Sequence, residues 1–257
     1  MTPEHIYIGY DKREDIAAQV CKFSIQRRSS VPLLTEHVSW LSPGYDRPYK
    51  IENGQRIDKR DGRPFSTAFT FARFLVPWLQ DYGDWALFCD CDFLFLEDVA
   101  KLFALRDESK AVMVVKHLHL PSVTRKMDGQ DQSAYPRKNW SSLMLWNCGH
   151  PSNKALTPDV VNHMPGRMLH GFKWLEDDEI GELPPSWNHL ADYTLSKVRP
   201  KAIHFTEGGP WFDEYKDCQY ADLWNEEKEF YEAKRLKLVS KEMEHGASEQ
   251  EASHGAI

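Results

Sequence analysis

Asp90 and Asp92 stand one residue apart at the end of the apolar run Trp85-Ala86-Leu87-Phe88, within the pentapeptide Phe88-Cys89-Asp90-Cys91-Asp92. A strand alternates its faces, so the two carboxylates point the same way, and at a strand end they can hold one divalent cation. Carboxylates this close repel, and either one takes up a proton or a metal balances the pair. A cation held there would keep open positions that suit the oxygens of a diphosphate leaving group. The bland alternative is a solvated turn, since Asp-x-Asp arises by chance in many chains.

The elements that must position these residues read as a parallel α/β layout. His5 to Tyr10 is a short buried strand stopped by a turn at Asp11-Lys12-Arg13, and Glu14 to Ser24 has helical spacing at Ile16, Ala17, Val20 and Phe23. Val31 to Trp40 suggests a second strand, and Ser42 to Arg63, rich in Pro, Gly and charge, reads as a loop. Ser66 to Leu79 is expected to be a helix, capped by Ser66 or Thr67 and ending near Pro77, which leads into the Asp-x-Asp strand. Glu97 to Leu105 reads as a short helix and Ala111 to Val115 as a buried strand. Ser122 to Asn139 is a polar, basic loop with Arg125, Lys126, Arg137 and Lys138, able to close on a ligand or merely to connect. Ser141 to Asn147 is strand-like, Asp159 to His163 begins a helical segment, and Ile203-His204-Phe205 is the last strand, before Glu207-Gly208-Gly209-Pro210-Trp211. Asn225 to Glu244 is a charged helix and Gly246 to Ile257 a frayed end, so the expected division is a catalytic domain over 1–220 and a helical, disordered tail over 221–257.

Composition narrows the class. With 257 residues, 41% of them hydrophobic and 12% aromatic, the chain can bury one substantial core. A formal net charge of -7 without long Lys/Arg blocks argues against a nucleic-acid surface. The five cysteines, Cys21, Cys89, Cys91, Cys148 and Cys218, lack paired CxxC spacing and suit reduced thiols, with Cys89 and Cys91 packed on the strand face opposite the aspartates. No stretch approaches the roughly 20 apolar residues of a membrane span, and the start lacks a basic region followed by an apolar signal. A cytoplasmic protein is expected, with peripheral membrane association at most.

The order of strand, turn and helix, then Thr70-Phe71-Ala72-Arg73-Phe74, then Asp90-x-Asp92, then a late His204 before Pro210-Trp211, resembles the GT-A glycosyltransferases. The likeness is to the family-eight group of glycogenin and the bacterial lipopolysaccharide galactosyltransferases, and it runs from about His5 to Phe212. It implies a Rossmann-like nucleotide-diphospho-sugar transferase fold, with a mostly parallel central sheet flanked by helices. In that family an Asp-x-Asp strand and a histidine near the C-terminal end hold manganese. The resemblance therefore implies Asp90, Asp92 and His204 as the ligands of Mn2+, or of Mg2+ less well.

The same resemblance gives Arg73 the place of an arginine that approaches the donor sugar and the first aspartate. It places Tyr10 and Asp11 at the nucleotide base and ribose, where switch-point loops of parallel sheets also bind ligands. Two departures stand out. The family's Gly-x-x-Lys-Pro-Trp lysine, which meets the diphosphate, is missing, and backbone N–H groups of Gly208 and Gly209 are the candidate replacement. The family's Asp-Gln pair beside the donor sugar is also missing. Asp177 and Asp178, in the acidic run before Leu183-Pro184 and Trp187-Asn188, are candidates near the acceptor and for a catalytic base, and Asn147 is a candidate near the sugar.

The expected activity is metal-dependent transfer of a sugar from a nucleotide-sugar, a UDP-sugar first, to a hydroxyl on a glycan or lipid-linked acceptor. Two other readings compete. A nucleotidyltransferase or phosphohydrolase could use the same metal pair, although Gly9-Tyr10-Asp11-Lys12-Arg13 is not the glycine-rich phosphate loop it would want. A glycan-binding module would use Trp146, Trp187 and Trp211 as stacking platforms.

Overall fold

A computed structural model describes residues 2–117, 137, 139–193 and 198–254, with side chains as far as 240 apart from Val239. The strands are β1 (Glu4–Gly9), β2 (Leu33–Val38), β3 (Tyr49–Glu52), β4 (Gln55–Asp58), β5 (Pro64–Phe65), β6 (Trp85–Cys89), β7 (Phe93–Phe95), β8 (Val112–Val114), β9 (Leu143–Asn147), β10 (Ile180–Glu182), β11 (His189–Leu190) and β12 (Ala202–His204). The helices are α1 (Asp15–Arg28), α2 (Val76–Leu79), α3 (Ala100–Phe103), α4 (Pro158–His163), α5 (Gly166–His170) and α6 (Ala221–His254).

Three sheets arise from these strands. The central one has the order β10-β8-β9-β6-β1-β2. β1 runs parallel to both β2 and β6, β10 runs parallel to β8, and β9 alone is antiparallel to its neighbours. Every residue of β6, β8 and β9 is buried. Strands covered on both faces need continuous apolar runs, which is what WALFC, VMV and LMLW supply. β1 and β6 end level with each other, Ile8 facing Cys89, so the chain leaves both strands at the same edge, through Tyr10-Asp11 and through Asp90-Cys91-Asp92.

A second small sheet brings the distant C-terminal segment to that edge. β12 pairs antiparallel with β7, His204 opposite Phe93, and the Phe205 N–H donates to the Asp92 carbonyl at 3.0 Å. Because β7 begins directly after Asp92, this register fixes His204 beside the aspartates.

α1 covers the sheet with Ala17, Ala18, Val20, Cys21 and Ile25. α6 packs on α1. Trp224 is buried, and Glu227, 3% exposed, accepts from Arg28 Nη2 at 2.6 Å and faces Arg27 Nε at 3.3 Å. Helix α6 continues to His254, past the Glu244 at which the sequence pattern weakens. No helix among the described residues is long and apolar enough to cross a membrane.

Two expectations about local structure are corrected. The 42–63 segment is no plain loop, since β3 and β4 form a hairpin through Asn53-Gly54, both at positive φ (50° and 78°). That is the conformation a two-residue turn demands and Asn-Gly supplies. The continuous helix expected over 66–79 is instead a pair of turns, a 3-10 segment Ala72–Leu75, and α2. Pro77 has no N–H, so it removes a donor from any continuous helix and sits instead in the first turn of α2. The basic loop expected over 122–139 lies outside the described residues except for Arg137 and Asn139.

Candidate functional site

Asp90, Asp92 and His204 converge: one ligand atom from each lies within 4.8 Å of the others. His204 Nε2 is 3.4 Å from Asp92 Oδ2, and its ring stacks on Phe93 with centroids 4.5 Å apart. Asp92 Oδ1 is buried with no hydrogen-bond partner among the described residues. A buried carboxylate oxygen left so is an atom that a cation would satisfy. Two carboxylates and an imidazole are hard and borderline donors that fit a divalent ion of the Mn2+ or Mg2+ kind.

Arg73 reaches the first aspartate. Its Nη1 lies 2.8 Å from Asp90 Oδ1 and donates to the Ser141 carbonyl at 2.8 Å, while the guanidinium sits 5.1 Å from the ring centroids of both Phe69 and Phe88. Burial strengthens such a pair, because little water competes for it, and removing one partner would strand the other. Ser141 Oγ is 2.8 Å from His170 Nδ1. Burial first, then the charges of Arg73 and Arg47, hold the His170 pKa well below its usual value, so the imidazole is neutral. The next residue of the same turn clamps the main chain, since the Asp90 N–H donates to the Ser142 carbonyl at 2.9 Å.

Tyr10 and Asp11 lie at the same edge of the sheet, at the end of β1. Tyr10 stacks on His37 at 4.8 Å and donates its hydroxyl proton to Asp15 at 2.8 Å. Asp11 is buried and fully engaged, by Arg13 Nε and Nη2, by Arg56 Nη1 at 3.3 Å and by the Ala68 N–H at 3.0 Å. Burial would raise its pKa, but hydrogen bonds and charge from Arg13 and the charge of Arg56 outweigh that and leave it below the ordinary carboxylate value.

Sequence reasoning passed over Glu14 as a chemical group. It is 1% exposed, and neither carboxyl oxygen has a partner among the described residues. Burial, then the negative charges of Asp92 and Asp11, push its pKa well above the usual range. Nothing in its local sequence signals this, because the burial comes from elements far along the chain.

Gly208 and Gly209 follow the last strand closely. Gly208 has φ +140°, its N–H is already donated to the Phe205 carbonyl at 2.9 Å, and a Cβ there would meet the Tyr215 ring at 2.7 Å. The Gly209 carbonyl accepts from the Phe212 N–H at 3.0 Å.

Three candidates are not brought to this edge. Asn147 pairs with Trp85 at the far end of β6, because β9 runs antiparallel, and its amide donates to the Glu108 carbonyl. Asp177 and Asp178 lie in a surface turn just before β10, whose Ile180 is in register with Val112, Trp146 and, across the sheet, Ala86. That is three strands over and four residues back from Asp90, on the order of 19 Å away at sheet spacings. Asp177 is instead paired with Arg137. Trp146 and Trp187 are fully buried, so the stacking platforms of a glycan-binding module are core residues here. All five cysteines are free thiols, and Cys89 and Cys91 are buried, Cys89 at the end of β6 and Cys91 in the turn that follows it, where strand parity no longer applies.

A mostly parallel sheet with an Asp-x-Asp turn at its carboxyl edge and a histidine returning from a late antiparallel strand is the fold of the GT-A glycosyltransferases. Among solved structures, the chain is similar to the bifunctional glycosyltransferase WbbM, with TM-score 0.57 and 15% identity over 88% of this chain and 50% of that one. It is similar to the glycosyltransferase GlyE of Streptococcus pneumoniae, with TM-score 0.56 and 18% identity over 94% of this chain and 64% of that one. It is also similar to the galactosyltransferase LgtC, solved with donor and acceptor sugar analogs, with TM-score 0.56 and 14% identity over 87% of this chain and 95% of that one. The chain thus spans about half the length of WbbM and under two thirds of GlyE. No family model matches the sequence. Within this fold the chain belongs to the family of Protein CDI of Arabidopsis thaliana, with which it is 48% identical over 240 residues, 91% of this chain and 90% of that protein.

Proposed function

We propose that this chain is a metal-dependent glycosyltransferase that moves a sugar from a nucleotide-diphosphate donor, a UDP-sugar first, to a hydroxyl on a glycan or lipid-linked acceptor. The observation that carries the reading is the convergence of Asp90, Asp92 and His204 within 4.8 Å at the carboxyl edge of a GT-A sheet. Those three residues would hold the cation, which when bound supplies positive charge to the diphosphate oxygens of the leaving group.

The chain's own groups do the rest. Arg73 and the Ser142 carbonyl fix Asp90 from its side chain and its main chain, so the carboxylate needs little reordering when the donor arrives. Tyr10, beside the same edge, offers an aromatic face for a base. Asp11 is committed to Arg13 and Arg56, so in this reading it sets the shape of the donor loop, and the two guanidiniums add local positive charge in an otherwise acidic chain. In this reading Gly209 and the chain around Gly208 are the candidates to meet a diphosphate oxygen. Asp177 and Asp178 are too distant to take a proton from an acceptor, so the proton passes to the departing diphosphate in this reading.

The test is UDP affinity by calorimetry with and without Mn2+, on the wild type and on Asp92→Asn, together with a panel of nucleotide-sugars assayed for metal-dependent hydrolysis. We expect Mn2+ to tighten UDP binding at least tenfold in the wild type and to have no effect in the variant, with unchanged circular dichroism in both. Equal metal dependence in the two proteins, or no metal effect in either, overturns the assignment.

A further inference from the structure

We infer that Asn188 fixes the tautomer of His204, placing the proton on Nδ1 and presenting the Nε2 lone pair to the metal site; this rests on the metal reading proposed above. A neutral imidazole carries one N–H and one lone pair, and a metal can take only the nitrogen without the proton. His204 Nδ1 lies 3.0 Å from Asn188 Oδ1, and Nε2 faces Asp92.

The direction of the Asn188 amide follows from its other neighbours. The Ser142 hydroxyl gives its proton to the Asn139 carbonyl at 2.7 Å, so its oxygen can only accept from Asn188, at 2.9 Å. The Asn139 carbonyl, 3.3 Å from the same Asn188 nitrogen, is likewise an acceptor. Two acceptors on one side require the NH2 there. The amide oxygen must then face His204, and an oxygen facing Nδ1 requires Nδ1 to carry the proton. Asn188 and His204 are both buried, so water does not substitute for these bonds.

The turn 139–142 therefore governs both sides of the site. Ser141 and Ser142 hold Arg73 and Asp90, and Asn139 and Ser142 hold Asn188 and through it His204. Groups that orient a ligating histidine in this way are typically worth about 10- to 100-fold in metal affinity.

The experiment uses the full chain. In 15N-labelled, metal-free protein at pH 8, long-range 1H–15N correlations of the His204 ring, assigned against His204→Asn, should show the Nδ1–H tautomer. Asn188→Leu, which keeps the volume and loses the acceptor, should give a mixed or Nε2–H pattern and weaken Mn2+ binding, read from the free-ion EPR signal, by 10-fold or more. Asn188→Asp still offers an oxygen to Nδ1, although its other oxygen then faces the Asn139 carbonyl in place of an NH2, and it should keep the proton on Nδ1. An Nε2–H tautomer in the wild type overturns the inference, as does unaltered Mn2+ affinity in Asn188→Leu. If Asn188→Leu does not fold, the wild-type tautomer and the Asn188→Asp tautomer decide it. A wild type that shows Nδ1–H yet binds no Mn2+ refutes the metal-facing role while leaving the hold of Asn188 on the ring.

Discussion

Glu14→Gln should stabilise this protein at neutral pH and leave its stability at acid pH unchanged. In the fold, burial and the charges of Asp92 and Asp11 raise the Glu14 pKa, and neither oxygen has a partner among the described residues. In the unfolded chain the same group ionises near its ordinary value of about 4.3. The folded state therefore binds the extra proton above that pH, and stability falls as pH rises from about 4.3. The slope is about 1.4 kcal/mol per pH unit for as long as the folded group keeps its proton. From pH 4.3 to 7 this amounts to at most about 3.7 kcal/mol. Glutamine has the same shape, is neutral at every pH, and leaves its own polar atoms about as poorly partnered, so the main difference is the lost titration. Urea denaturation in EDTA at pH 4.5, 6, 7 and 8 measures it. We expect variant and wild type to coincide at pH 4.5 and the wild type to fall progressively below the variant as pH rises, by no more than about 3.7 kcal/mol at pH 7. Each ~1 kcal/mol of divergence would raise the melting temperature of a chain of this size by about 2–4 °C. Parallel stability curves for the two proteins, or a less stable variant at pH 7, would refute the reasoning.

Two further substitutions probe the surroundings of the site by thermal denaturation. Gly208→Ala places a side chain at φ +140° and drives a Cβ toward the Tyr215 ring, so it should cost about 1–3 kcal/mol, and a neutral result would show that the turn relaxes freely. Trp224→Ala empties the contact between α6 and the rest of the protein, where Trp224 lies 5.2 Å from Trp211, and a loss of about 3–5 kcal/mol is expected. A loss below 1 kcal/mol would mean that α6 contributes little to the stability of the sheet.

From the sequence alone came the scaffold strands and, through the family resemblance, the three residues that the fold then brings together. Buried strands announce themselves as apolar runs, which is a local rule, whereas Asp90 and Asp92 lie in the turn after β6 rather than in the strand that the alternation argument assumed. The Asn53-Gly54 turn is just as local, but the Pro, Gly and charge around it favour a loop reading, which the structure corrects to a hairpin. What only the tertiary structure decided depends on direction and on distant partners. A run buried on both faces carries no sign of which way it runs, so LMLWN could not reveal that β9 is antiparallel and takes Asn147 away from the aspartates. The same sheet order removed Asp177 and Asp178 to the opposite end. Burial of Glu14 and the bonds of Asn188 to His204, Ser142 and Asn139, which lie 16, 46 and 49 residues from it, depend on separate segments meeting, and no local pattern encodes such meetings. The types of the candidate ligands were written in the chain; the groups that aim and charge them were fixed by packing, because a buried polar atom must find its partner wherever the fold supplies one.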